Sequence, residues 1–304
     1  MVTVGTGKYT YELIEGWAKL PQGQTMGWAS MIATDSKDRV YVFQREKEPS
    51  VLIFDRFGNY VNGWGVGTFA GPHGIYIEND VVYVTDRDDS VVLLFTLEGK
   101  PLKIIGQRGN HSDTGVGPDF DDENDVVPRS AGPFHFPSKM MPGPSGDLYV
   151  SDGYRNARVH RFTPEGDLVQ SWGEPGNGGP YQFQLVHSLL VTDDGQIYVS
   201  DRENHRIQVF NSDGRFLNMW TNVRRPIDFA INDEGTFFVS EVFVELDKVG
   251  QNPAGTSRVS VRDKNGQVIT QWKTPASHGI WVDRHGDIYL AQMELGVQKY
   301  AKRI

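Results

Sequence analysis

The chain has no cysteine among its 304 residues. That excludes a disulfide framework and a thiolate zinc centre, so any metal ion has to be held by histidine or carboxylate. An excess of positive charge is also missing. With 30 Lys and Arg against 39 Asp and Glu, the net charge of −9 opposes a phosphate backbone and leaves counterion release without a source. No apolar run approaches the ~18 residues of a membrane span. The opening MVTVGTGKYTYELIEGWAKL has no basic stretch leading into an apolar one. Neither nucleic acid nor membrane is expected as a partner, and the expectation is a cytoplasmic monomer acting on a small molecule or short peptide.

What the chain does have is 34 Gly and 16 Pro scattered throughout, with 12 Tyr, 16 Phe and 7 Trp. That is the composition of many short strands and tight turns. One unit recurs: an apolar strand, a D-x-x-G turn, an apolar-Tyr-Val-x-Asp strand, a polar turn, an R-x-x-x-F strand and a strand ending in W-G. Its second-strand aromatic marks six copies, at Tyr41, Tyr83, Tyr149, Tyr198, Phe238 and Tyr289. Each copy holds four short alternating segments, which reads as a four-stranded antiparallel sheet, and repeats of this size with four strands read as propeller blades. The expected fold class is all-β, a six-bladed β-propeller forming a single domain over 1–304. The last unit ends at VQKYAKRI after its third strand, whereas YELIEGW at 11–17 matches the fourth-strand pattern of LVQSWG and FLNMW. The N-terminal strand is therefore expected to complete the last blade and close the ring. Insertions at 107–133 and 242–256 are long for a compact domain, and loops of that length are commonly functional covers or disordered segments.

Counting back 11 residues from each marker, or 10 in the second unit, reaches the start of each innermost strand. Those positions hold Ser30, His73, Ser138, His187, Ile227 and His278. A single histidine there is more often a hydrogen-bonded core residue. Three at one register in alternate repeats, out of eight in the chain, point to imidazoles converging on the axis a third of a turn apart. Three nitrogens so arranged fit three corners of a tetrahedral zinc site and leave the fourth for water or substrate. Of the other five, His285 sits in a hairpin turn and is expected to be solvated. His135, in GPFHFP, is a candidate to support the site; His111, His160 and His205 show no such register.

The residues after the second strands are Arg45, Arg87, Tyr154, Arg202, Val242 and Met293. Because strands alternate in direction, these lie on the same face as the histidines and ring the mouth above them. An arginine fork there suits a carboxylate, although a blade-surface ion pair is an equally ordinary use of Arg87 or Arg202. Tyr154 follows an extra glycine (SDGYRNAR against SDRENHR). Beside a divalent cation and arginines its phenolate would be favoured, which makes it a candidate general base, with simple packing as the alternative. Both insertions leave from this face and the opposite one carries only tight hairpins, as expected of a substrate site on a rigid scaffold.

The stretch SDGYRNARVHRFTPEGDLVQSWGEPGNG, with LVHSLL and SDRENHRIQVF after it, resembles the NHL-repeat propellers and among them the peptidyl-α-hydroxyglycine α-amidating lyases. The resemblance implies a zinc ion on His73, His187 and His278, a catalytic Tyr154, and catalytic and substrate-binding arginines at Arg45 and Arg202. It implies cleavage of an N-acyl-α-hydroxyglycine to a primary amide and glyoxylate. The chain departs from that family in four places. Arg155 and Val209 stand where the family has paired cysteines, and Gly279 replaces an acidic residue associated with a structural calcium, so calcium is not implied. Ala276 replaces a methionine, and Arg87, a further candidate for substrate binding, has no counterpart. These changes suggest a reshaped pocket. Two other functions compete: a non-enzymatic propeller that binds a protein on its elaborated face, and a metal-dependent hydrolase of the lactonase type.

Overall fold

The computed structural model describes residues 2–242, 257–293 and 295–303. Most of the second expected insertion, 243–256, lies outside the described residues. Five four-stranded antiparallel sheets and one five-stranded sheet account for the repeats, each strand pairing with its neighbour in sequence except in the last sheet, where an N-terminal strand pairs with the final one. They are the six blades of a β-propeller, so the repeat count read from the six aromatic markers is borne out. The chain divides into two compact units, Thr68–Pro226 and Met1–Gly67 with Ile227–Ile304. The first holds blades two (72–105), three (137–172) and four (186–220). The second holds blades one (28–64), five (226–274, its first residue at the boundary) and six.

The burial patterns explain why such strands need a ring. First strands such as Pro72–Glu78 and Val186–Val191 are buried along nearly their whole length, whereas the fourth strands Tyr60–Trp64 and Leu168–Trp172 expose residues at their solvent edge. Burial on both faces removes the clean apolar–polar alternation of a one-sided strand, and the polar residues that these first strands carry, such as Ser138, Ser188 and Asp228, are buried with the rest. Blade six closes as its missing fourth strand required: Tyr9–Ile14 runs antiparallel to Gly296–Lys302, with Tyr11 opposite Lys302 and Leu13 opposite Tyr300. Tyr11 and Tyr300 join Phe238 and Trp272 in the core beneath it. Trp17 lies beyond the strand, buried against Phe54 and Tyr289 at ring distances of 5.5 and 5.2 Å. Two pairings had no counterpart in the repeat: Thr3–Thr6 folds back on Tyr9–Ile14 as a fifth strand, and Glu174–Pro175 pairs in parallel with Gln182–Phe183.

The aspartate that ends the second strand has a structural use in blades two to four. Asp86 accepts hydrogen bonds from the N–H groups of Ala70 and Gly71 at 2.9 and 2.8 Å, Asp152 from that of His135 at 3.0 Å, and Asp201 from that of Gln184 at 2.8 Å. Each buried carboxylate thus holds the turn that leads into the first strand of its own blade, satisfying donors that the turn would otherwise bury unpaired. Burial pushes the Asp86 carboxyl up from its ordinary value, with these N–H groups pulling the other way.

Candidate functional site

In the unit 68–226, His73 lies in the first strand of blade two, His187 in the first strand of blade four, and Tyr154 in the turn after the second strand of blade three. All three are buried. Tyr154 Oη lies 3.0 Å from His73 Nε2 and 2.9 Å from His187 Nε2, and the two imidazole centroids are 5.0 Å apart. His73 Nδ1 is 2.7 Å from the carbonyl of Ser138. A carbonyl only accepts, so Nδ1 carries a proton, and in the neutral tautomer this leaves the lone pair of Nε2 facing Tyr154.

Two glycines bring these groups together. A Cβ on Gly74 would lie 2.5 Å from the Ser138 carbonyl oxygen and 2.5 Å from Thr85 Oγ1. Only glycine lets the strand after His73 come close enough for that carbonyl to reach Nδ1. Thr85 Oγ1 completes the clasp, accepting from Gly74 N–H and donating to the Ser138 carbonyl, both at 2.7 Å. A Cβ on Gly153 would lie 2.2 Å from Val186 N. The additional glycine before Tyr154 therefore lets the turn of blade three rest on the strand that carries His187.

Arginines surround the phenol. The Arg87 guanidinium stands 5.0 Å over the Tyr154 ring and 5.4 Å over Phe136, and that of Arg202 stands 5.9 Å over Tyr154. Burial works against the charge of both arginines. Tyr154, with Asp88 beside Arg87 and with Glu203 and Glu123 beside Arg202, more than offsets it and raises both above the ordinary arginine value. The insertion 107–133 contains no strand and reaches these side chains: Asp122 pairs with Arg155 at 2.8 Å and Glu123 with Arg202 at 3.2 Å. His135, considered above as a supporting residue, turns its ring to the insertion instead. Its Nδ1 is 3.0 Å from Thr114 Oγ1, and it stacks on His111 at 5.2 Å.

In the other unit the same local construction appears around His278. Its Nδ1 lies 2.9 Å from the carbonyl of Ser30, and Gly279 follows it as Gly74 follows His73, with a hypothetical Cβ 2.8 Å from that carbonyl oxygen. The residue that departs from the lyase family is thus the one that permits the close approach. The ring of Trp28 is 4.5 Å from that of His278, and the Arg45 guanidinium lies 4.1 Å over Trp28. Val242 is buried and Met293 half exposed; both are apolar and bring no acid–base group to their register. Sequence reasoning did not single out Trp28, Phe136 or Arg225, whose contacts are described here and below.

Fold and repeat define the class: a six-bladed β-propeller. The family model described as the NHL repeat matches residues 183–210. Within that class the chain resembles peptidyl-α-hydroxyglycine α-amidating lyases. It is 29% identical over 190 residues to peptidyl-alpha-hydroxyglycine alpha-amidating lyase 1 of Drosophila melanogaster, covering 58% of this chain and 32% of the relative. It is 33% identical over 199 residues to peptidyl-glycine alpha-amidating monooxygenase A of Xenopus laevis, which covers 60% of this chain but only 19% of that protein. The chain therefore spans about a fifth of the monooxygenase it matches. The likeness to NHL repeat-containing protein 3 of Homo sapiens is 28% over 321 residues and takes in 97% of this chain and 85% of the relative. Among solved structures, one of streptogramin B lyase superposes with a TM-score of 0.62 at 12% identity over 96% of this chain and 98% of that one. That likeness shows the fold alone.

Proposed function

We propose that the protein is a zinc-dependent C–N lyase that cleaves an N-acyl-α-hydroxyglycine, or a related carbinolamide, to a primary amide and glyoxylate or another aldehyde. The observation that carries this reading is the convergence of Tyr154 Oη with the Nε2 atoms of His73 and His187. The donor set suits the metal. His73 and His278 each have Nδ1 held by a backbone carbonyl, which fixes the tautomer that offers Nε2 as a ligand. With His187, which shares their register in alternate repeats, they are the three imidazoles assigned to one ion, and three nitrogens with an open fourth position are a catalytic zinc set.

When bound, zinc supplies Lewis acidity at the substrate oxygen. The remaining work falls to side chains. In its phenolate form Tyr154 takes the proton of the carbinol hydroxyl. As the C–N bond breaks, the carbon becomes the aldehyde carbon, and Tyr154 returns the proton to the departing amide nitrogen, so no atom is gained or lost. Arg202 holds the substrate carboxylate, with Arg87 beside the phenol supporting the charge there. Arg45, stacked on Trp28 beside His278, is assigned substrate binding from its register at the end of a second strand.

Metal analysis of untagged protein, paired with glyoxylate release from α-hydroxyhippurate, tests the reading. The expected result is one zinc per chain and glyoxylate formed in step with benzamide. Zinc without glyoxylate would keep the metal and discard the substrate; protein without zinc would discard both. A finer expectation concerns Gly74. Gly74→Ala drives a methyl into the Ser138 carbonyl that orients His73, and removing such an orienting contact commonly weakens metal binding about 10- to 100-fold. Competition with a chromophoric zinc chelator would measure the loss, and unchanged affinity would show that the carbonyl contact does not matter.

A further inference from the structure

Arg225 belongs to none of the registers considered so far, yet it completes a cluster of charges beside Tyr154. Glu203 Oε1 accepts hydrogen bonds from Arg202 Nε and from Arg225 Nη2, both at 2.7 Å. One carboxylate between two guanidinium groups leaves a positive charge over. The side chains of Arg202 and Arg225 are only 5% and 11% exposed, and Arg202 Nη2 and Arg225 Nε are buried donors with no hydrogen-bond partner. Buried guanidinium donors left in this state are strongly disposed to take an anion.

The anion now nearest is Glu123 of the insertion. Its Oε1 stands 3.2 Å from Arg202 Nη2 without the alignment of a hydrogen bond, and its Oε2 accepts a long hydrogen bond, 3.5 Å, from Arg225 Nη2. The Glu123 side chain is 56% exposed, so the contact is screened and weakly held. We propose that Arg202 and Arg225 form a carboxylate subsite in which Glu123 sits as a displaceable occupant, so that an incoming substrate carboxylate exchanges with it and frees the insertion. A free carboxylate can align with the unused donors, whereas Glu123, tethered by its loop and by Asp122 on Arg155, does not. This rests on the reading above only for the identity of the ligand.

The test uses hippurate, which carries the carboxylate but lacks the carbinol hydroxyl and does not turn over. In Glu123→Gln, hippurate is expected to bind about ten-fold more tightly, because removing an internal competitor raises the fraction of open sites. In Arg225→Gln it is expected to bind about ten-fold more weakly, as when a paired carboxylate loses one of its forks. N-benzoylglycinamide, the same ligand without the carboxylate, should gain nothing in Glu123→Gln. In the wild type, hippurate should speed hydrogen exchange over residues 117–126. Equal or weaker hippurate binding in Glu123→Gln, no hippurate binding in any form, or unchanged exchange in the wild type would each overturn the proposal. Glu123 is exposed, so its variant should fold even if Arg225→Gln does not. A protein that releases no glyoxylate but shows this pattern keeps the subsite and loses the lyase reading; glyoxylate release without the pattern does the reverse.

Discussion

Alanine in place of His187 is expected to yield a folded protein that retains no stoichiometric zinc and releases glyoxylate from α-hydroxyhippurate at least about a thousand-fold more slowly, the scale of loss when a transition state loses its main charge stabilisation. The imidazole is buried and its Nε2 lies 2.9 Å from Tyr154 Oη, so the substitution removes a ligand and leaves the phenol with one nitrogen partner instead of two. His135→Ala is the matched comparison. That histidine is also buried, but its ring bonds Thr114 in the insertion, so its variant is expected to keep its zinc. Metal content and thermal melting of the two variants, measured together, separate loss of a ligand from loss of the fold. If His187→Ala kept both zinc and rate, the alternate-repeat register of the histidines would carry no chemistry, and a propeller that binds a protein partner would be the better account.

That register was legible because a propeller repeats itself: a side chain at one position of one blade is compared directly with its equivalents in the others. Six aromatic markers gave the blades, the missing last strand gave the N-terminal closure, and counting back from the markers brought His73, His187 and His278 to one position. The additional glycine at 153 was visible as an irregularity, but its cause was not. The reason is a backbone contact with Val186, 33 residues away, and a sequence does not show which strand a glycine must approach. The same holds for Gly74 and Gly279. As the second residue of a His-Gly pair each looks incidental, and it becomes necessary only once the next blade's carbonyl lies against it.

The same alignment, moved two places earlier, would have reached more of the site. The residues there are Trp28, Gly71, Phe136, Leu185, Arg225 and Ala276. Trp28 packs on His278, Phe136 lies under Arg87 and Arg155, and Arg225 shares Glu203 with Arg202. Phe136, Leu185 and Arg225 hold positive φ of 63°, 59° and 37°, a backbone state that side-chain-bearing residues adopt only where the surroundings enforce it. In blades three and four the enforcing contacts come from the turn after the second strand of the same blade: Tyr154 N–H donates to the Phe136 carbonyl and Arg202 N–H to that of Leu185. The contact of Glu123 with Arg202 had no signal of this kind, because an insertion has no equivalent in the other blades to align against.

Tyr154→Phe is expected to separate holding the metal from using it. The substitution removes one oxygen from a buried ring that keeps its packing against His73, His187 and Arg87. None of the proposed zinc ligands is touched, so zinc content should stay at one per chain and hippurate affinity should change little. Turnover of α-hydroxyhippurate should fall about 10²- to 10⁴-fold, the usual contribution of a positioned acid–base group, and the loss should appear in kcat with KM nearly unchanged. The reverse pattern, zinc lost and the rate of reconstituted protein intact, would make the hydroxyl a structural partner of His73 and His187. Full activity would also exclude it as the base. The expectation thus rests on one distance pair, 3.0 and 2.9 Å from a single oxygen to two imidazole nitrogens, in a turn that Gly153 allows to lie against the strand of His187.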